Sequence, residues 1–308
     1  MNREVWYHAN CLDGFGAAYA AWLQFGDDAT YRAVQYGYSP PDAEELDELY
    51  IVDFSFDYET MLKLGEKHKK IIVLDHHKTA MENLEGKEFP NNVRISLDMD
   101  RSGAMMAWGF FHPNIPVLNV IAHIQDRDLW QWKLPGTKEI TAALDSYPKN
   151  FAVWKSILND RNRLYAEGIA IDRYRQQQID ILLNAWSRSP WNIKLAGFEG
   201  PLINGPYFLT SELLHQLGAS QPFAANVIYT ADKLLFSLRS DPDGADVSAI
   251  AKKYGGGGHK HAAGFSLTSE ELKAVQTAGE TDGASNNNGS ASANKQVYAS
   301  DAVKGNVE

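Results

Sequence analysis

The sequence predicts an α/β protein in two parts: an N-terminal unit built on a mostly parallel sheet, then a helical connector and a smaller C-terminal α/β unit. Three observations lead there. Through about the first 130 residues, a short β-rich run, a polar turn and a segment of helical periodicity follow one another repeatedly. From about Asn150 to Ala185 only helical patterns remain, with a polar middle at Gln176, Gln177 and Gln178. β-rich runs return near Asn192.

The strands of the first unit are read from "EVWYHA", "TYRAVQY", "ELYIVDF", "KIIVLDH" and "VRISLD". Between them, "GFGAAYAAWLQF" and "YETMLKLGEKHK" combine helix formers with apolar residues at turn spacing. Strands alternating with helices in this way predict a mostly parallel sheet, and such sheets gather their ligands at the carboxyl ends of the strands. His8, Asp53, Asp75 and His76 all fall at those ends. The second unit is read from "NIKLAGF", "GPLING", "FAANVIYTA" and "LLFSLRS", closing on "AIAKKYGGGGHKHAAGF". We place the first unit at residues 1–135, the connector at 136–191, the second unit at 192–272 and a tail at 273–308. From Val275 onward there is no Leu, Ile, Phe, Trp or Met, so the tail is expected to be disordered.

A chain of 308 residues with 44% hydrophobic composition can bury ordinary cores. Its formal charge of −10 argues against broad electrostatic capture of long DNA or RNA, so an anionic substrate must be met locally. The lone cysteine, Cys11, leaves no intramolecular disulfide framework. Without a signal-like start or a long apolar segment, a cytoplasmic protein with no membrane partner is expected.

Four clusters follow strand signals in the first unit: His8, Asn10, Cys11 and Asp13; Asp53; Asp75, His76 and His77; and Asp126 with Asp128. Imidazole and carboxylate with almost no thiolate suit Mn, Fe(II), Zn or Mg better than a structural zinc knot. Two such ions sharing a carboxylate can clamp the oxygens of a phosphoryl group and acidify a water. Each cluster taken singly has an ordinary reading as well. A strand-end Asp caps helices, adjacent histidines line solvated loops, and Asp126 and Asp128 suit an exposed helix end. What favours a site is their recurrence at one end of one sheet. The run "GGGGHKHAAG", Gly255 to Gly264, either is a flexible linker or brings backbone N–H groups and His259 close to an anion. Arg239, at the end of "LLFSLRS", is a surface arginine or a fork for phosphate or a guanine edge.

In this order, a His-and-Asp motif, a strand-end Asp, Asp-His-His, a later Asp and a distal Gly-Gly-Gly-His, the chain resembles the DHH phosphoesterases, in the branch carrying a DHHA1 substrate domain. The resemblance spans residues 4 to 268. It implies two divalent cations, with Mn2+ expected and Mg2+, Fe2+ or Co2+ as alternatives. It implies that His8 and Asp53 hold one ion, and that Asp13, Asp53, His76 and Asp126 hold the other. Asp75 would orient His76, and His77 would face the scissile phosphate. Arg101 and Ser102 match a segment that would contact substrate, and Arg239, Gly256, Gly257, Gly258 and His259 match the part that grips its far end. One departure stands out: Cys11 occupies the place of a family aspartate, leaving Cys11 or Asn10, with Asp128 nearby, as uncertain neighbours of the first ion.

Among family activities, the size and acidity favour hydrolysis of linear dinucleotides, such as pGpG or pApA, or very short oligonucleotides to mononucleotides. A phosphatase or exopolyphosphatase, a cyclic-dinucleotide phosphodiesterase and a nonhydrolysing nucleotide sensor are the alternatives. The expected partner is a short nucleotide, not a long duplex, bound by a monomer or homodimer.

Overall fold

The computed structural model describes residues 1–268 and 270–272, so the expected tail at 273–308 lies outside the described residues. The first sheet consists of β1 (Arg3–His8), β2 (Thr30–Val34), β3 (Glu48–Val52), β4 (Ile71–Asp75) and β5 (Val93–Leu97). All its neighbours run parallel, in the order β2-β1-β3-β4-β5. Parallel strands covered on both faces need apolar residues at successive positions, and β4, Ile-Ile-Val-Leu-Asp, is buried throughout. Seven helices accompany this sheet: α1 (Leu12–Phe25), α2 (Tyr58–Lys67), α3 (Lys78–Leu84), α4 (Gly103–Phe111), α5 (Asn119–Asp128), α6 (Thr137–Ser146) and α7 (Phe151–Ile157).

The sheet separates two cores. On one face α1 packs against α4, where Ala17, Ala20, Ala21, Ala104 and Ala107 are fully buried and let the two helices approach closely. The other face buries Trp6, Leu49, Ile51 and Val73 against Met61 and Leu64 of α2 and Leu84 of α3. The chain leaves β1 for β2 on one side, then crosses to β3 on the other. The direction of winding therefore reverses between β1 and β3, and a crevice opens there at the strands' carboxyl ends. His8 ends β1 and Asp53 follows β3, one at each lip of that crevice.

The connector is dominated by α8 (Arg161–Arg188), whose 28 residues span about 42 Å. Its first half packs on α6, and Leu164 joins the first core. Its second half places Ile179 against α9 (Thr210–Leu217).

The second sheet contains β6 (Asn192–Leu195), β7 (Phe198–Ile203), β8 (Ala224–Tyr229), β9 (Leu234–Arg239), β10 (Gly257–His259) and β11 (Ala262–Leu267), ordered β10-β11-β9-β8-β7-β6. Only the β7–β8 pair is parallel. α9 and the end of α8 cover one face, and α10 (Val247–Lys252) covers the other.

The glycine run is not a flexible linker, because Gly257 to His259 form an edge strand paired antiparallel to Ala262 to Gly264. Gly258 shows why side chains are missing here. It sits at φ +139°, where a Cβ would lie 2.6 Å from the Ala262 carbonyl oxygen, and its N–H donates to Thr79 Oγ1 of α3 at 3.2 Å. Nearby, Lys78 pairs with Asp246, and Lys252 pairs with Glu82, so α3 and the second unit meet along a polar seam. Among the described residues, no helix is long and apolar enough to cross a membrane.

Candidate metal centre

Asp53 organises the site from the crevice between β1 and β3. Its backbone takes φ +54°, rare for a side chain with a Cβ, and its N–H is tied to the Leu74 carbonyl at 2.8 Å. The turned carboxylate is 1% exposed and presents its two oxygens to different partners. Oδ2 lies 3.5 Å from His8 Nδ1 and 3.5 Å from Cys11 Sγ. Oδ1 lies 3.0 Å from His76 Nε2 without hydrogen-bond alignment, which leaves it a buried acceptor lacking a proper donor. Such backbone strain is held by the surroundings and concentrates at functional sites. Gly103 belongs to that hold, since a Cβ there would come within 2.3 Å of the Asp53 Cβ.

Around His76 Nε2 the other donors converge: Asp13 Oδ2 at 3.5 Å and Asp128 Oδ2 at 3.5 Å. Asp13 sits in the first turn of α1, and its carboxylate accepts hydrogen bonds from the N–H groups of Gly103 (2.6 Å) and Ala104 (3.0 Å) at the start of α4. Cys11 caps α1, with Sγ accepting from the Gly14 N–H at 3.1 Å and lying 3.6 Å from His8 Nδ1. Asn10 instead fills the exposed positive-φ position of the turn.

Three expected roles change with the geometry. Asp126 lies outside the cluster. Its carboxylate accepts from the N–H groups of Lys133 (2.7 Å) and Leu134 (3.1 Å) and from Thr137 Oγ1 (2.6 Å), and so organises the loop into α6. Asp128 stands at His76 in its place, because two residues on a helix are about 200° apart and face different ways. Asp75 orients His77 rather than His76: its Oδ1 accepts from His77 Nδ1 at 2.7 Å, whereas it meets His76 only at the backbone N–H. Residues 75 and 77 share a side at the strand end, while 76 projects to the other, where His76 Nδ1 has no hydrogen-bond partner. Ser102, expected to touch substrate, is fully buried and caps α4 by accepting from the Met105 N–H at 3.3 Å. Arg101 is at the rim, with Nε donating to Asp98 Oδ2 at 2.6 Å.

The second sheet contributes His259, whose ring stacks on His77 with centroids 4.5 Å apart and planes 19° apart, and lies 4.6 Å from the His76 ring. Arg239, Ala262 and His259 are directly in register across β9, β11 and β10, so Arg239 and His259 emerge from one face about 10 Å apart. Arg239 Nη2 donates to Ser211 Oγ at 3.0 Å, and Nη1 to the Leu238 carbonyl at 2.8 Å. Gly256, Gly257 and Gly258 serve the β10 backbone beside Thr79.

The titrations follow from this crowding. Burial pushes the Asp13 carboxyl well up, reinforced by Asp53 and Asp128. Burial works against ionised Asp53, yet the His76 and His8 imidazoles hold it well below the ordinary range. Burial would lower His76, but Asp53, Asp128 and Asp13 lift it to about 10. Burial and the neighbouring His77 and His76 keep His259 well below its usual value. Three carboxylates and one thiol around two imidazoles, with a buried oxygen lacking a donor, are a set that divalent cations would satisfy. Two donor sets can be drawn, sharing Asp53: His8, Cys11 and Asp53 on one side, and Asp13, His76, Asp128 and Asp53 on the other.

Comparison with known proteins fits this arrangement. Residues 210–280 match the model of the DHHA1 domain. An uncharacterised protein of Acanthamoeba polyphaga mimivirus is 30% identical over 290 residues, covering 86% of this chain and 67% of that protein. The oligoribonuclease NrnB of Bacillus subtilis is 26% identical over 291 residues, covering 86% of this chain and 73% of that enzyme. The chain belongs to the DHH/DHHA1 phosphoesterases. RecJ of Thermus thermophilus, solved with Mn2+, has the same fold at TM-score 0.51 and 15% identity, over 92% of this chain and 52% of that one.

Within this DHH/DHHA1 protein, one further neighbour of the site went unread. Tyr36 follows β2 at the same sheet end, its ring centroid 5.6 Å from both His8 and His77. The sequence signal was present in "TYRAVQYGY", a β-rich run ending in Tyr and Gly at the level of the other clusters.

Proposed function

We propose that this DHH/DHHA1 protein is a metal-dependent phosphodiesterase that cuts linear dinucleotides or very short oligonucleotides into mononucleotides. The observation carrying this reading is a buried carboxylate, Asp53, joining two donor sets directly beneath a histidine supplied by the second sheet. The oligoribonuclease among its relatives supports a short-RNA substrate, and manganese in the RecJ neighbour supports divalent cations. Bound there, two divalent cations would supply Lewis-acid stabilisation of phosphoryl oxygens and make water nucleophilic at neutral pH.

The chain's own groups do the rest. Asp13, fixed by two backbone N–H groups at α4, and His76 hold their donors in place without substrate, which is the preorganisation that catalysis exploits. Because a carboxylate only accepts, His77 Nδ1 must donate to Asp75, so Nε2 is the acceptor of the neutral ring, and the imidazolium form would donate from Nε2 to a nonbridging oxygen or return a proton to the departing oxygen. Arg239 offers a fork for a terminal phosphate, and its 10 Å spacing from His259, about two strand widths, suits a substrate of very few nucleotides. With a net charge of −10, the surface outside this cleft gives a long nucleic acid little to follow.

The test is to incubate the manganese-loaded protein with linear and cyclic dinucleotides, short RNAs, pyrophosphate and polyphosphate, and to separate the products chromatographically. Mononucleotides released fastest from linear dinucleotides or the shortest RNAs support the reading. Release of inorganic phosphate alone, or tight dinucleotide binding without turnover, would replace it by a phosphatase or a sensor.

A further inference from the structure

The two donor sets are chemically unequal. On the His76 side every donor is oxygen or imidazole nitrogen, while the His8 side includes the sulfur of Cys11. Cys11 Sγ, His8 Nδ1 and Asp53 Oδ2 form a nearly equilateral triangle, with edges of 3.6, 3.5 and 3.5 Å. A tetrahedral ion with bonds of about 2.3 Å to sulfur and about 2.0 to 2.1 Å to nitrogen and oxygen separates its ligands by about 3.5 Å where sulfur is involved and about 3.3 Å otherwise. An octahedral ion at about 2.0 to 2.1 Å draws neighbouring oxygen ligands to about 2.9 Å, tighter than this triangle. The triangle does not rest on the cysteine alone. Asp53 is 1% exposed and turned by a strained backbone, which holds its Oδ2 at the triangle, while its other oxygen, Oδ1, lies on the His76 side without a donor.

We propose that His8, Cys11 and Asp53 form a thiophilic half-site, taking a tetrahedral ion of the zinc(II) class with Cys11 as thiolate ligand, next to a hard half-site of Asp13, Asp53, His76 and Asp128. The proposal rests on the two-cation reading above and gives it a composition: a mixed pair of ions. As the sulfur–metal bond forms, the Cys11 proton leaves to solvent, one per ion bound. The Gly14 N–H at the start of α1 already points at Sγ and would stabilise the thiolate.

Cys11 is the chain's only cysteine, so cobalt(II) spectroscopy on the metal-stripped full chain reads this site directly. The expected result is that cobalt gives a sulfur-to-cobalt charge-transfer band in the near ultraviolet. One equivalent of zinc should abolish that band, while manganese leaves it unchanged. In Cys11→Asp the band should vanish while cobalt still binds, and the preference for zinc over manganese should fall by about tenfold or more. If cobalt binds the unmodified protein without that band, the thiolate is no ligand and this proposal fails, while the two-cation reading survives. If no cobalt binds at all, both fall together. The spectrum of the unmodified chain decides the question even if the variant does not fold.

Discussion

The crevice of the first sheet and the seam where α3 meets β10 lie side by side but are held by opposite means. In the crevice, Asp53, Asp13, Asp75 and His76 are almost wholly buried, and strain and close backbone contacts fix them. At the seam, the contacts are partly exposed ion pairs, Lys78 with Asp246 and Lys252 with Glu82, and hydrogen bonds from Gly258 to Thr79 and from Lys78 to Ser248. Exposed pairs contribute little and weaken with salt. The crevice geometry is therefore fixed within the first unit, while the join to the second unit rests on polar contacts that each contribute little.

The sharpest break of that contrast is Asp53→Ala. It should remove at least about a thousandfold of cation-dependent turnover, read in single-turnover assays, because it takes a ligand from both donor sets at once. Retention of most activity would end the two-set reading. Next, Asp128→Ala and Asp126→Ala should part company. The first should lower turnover by about a hundredfold with the melting temperature little changed. The second should cost about 2–3 kcal/mol in thermal unfolding, through the buried bonds it leaves unmade. On the seam side, His259→Ala should raise KM by about tenfold and shift the preferred substrate length more than it changes kcat.

The smallest effect concerns the seam's own charge. Burial works against the Asp246 carboxylate, yet Lys78 and Ser248 hold its pKa down from 3.8 to about 2. Since the folded value lies below the unfolded one, its contribution is complete above the unfolded value of 3.8 and fades as pH falls toward about 2. Asp246 is 29% exposed, so Asp246→Asn should cost no more than about 1 kcal/mol. The loss should appear in unfolding at neutral pH, shrink at high salt and disappear near pH 2.

The same contrast explains what could be read from sequence. Five strands of the first sheet were legible because parallel strands need unbroken apolar runs, as in "KIIVLDH", and their polar ends marked the crevice. The helix at 103–111 was not, because it is apolar almost all round and shows no stripe, whereas the stripe of 137–146, at positions 137, 140, 141 and 144, is half threonine and so stands out weakly. Asp126 and Asp128 look alike in sequence, and only the rotation of α5 tells which one meets His76. The glycine run bears no side-chain alternation, so nothing in it announced an edge strand. Asp75 and His77 share a side because the alternation of β4 carries just past its last residue, which the identical letters of His76 and His77 do not reveal.

α3 carries His77 immediately before it and Thr79 within it, so one short helix touches both the candidate metal centre and the edge strand of the second sheet. Any swing that lifts β10 off Thr79 must also unstack His259 from His77. A ligand wedged between the two rings would therefore strip His77 of its partner from the second sheet and strain the turn of helix that joins His77 to Thr79.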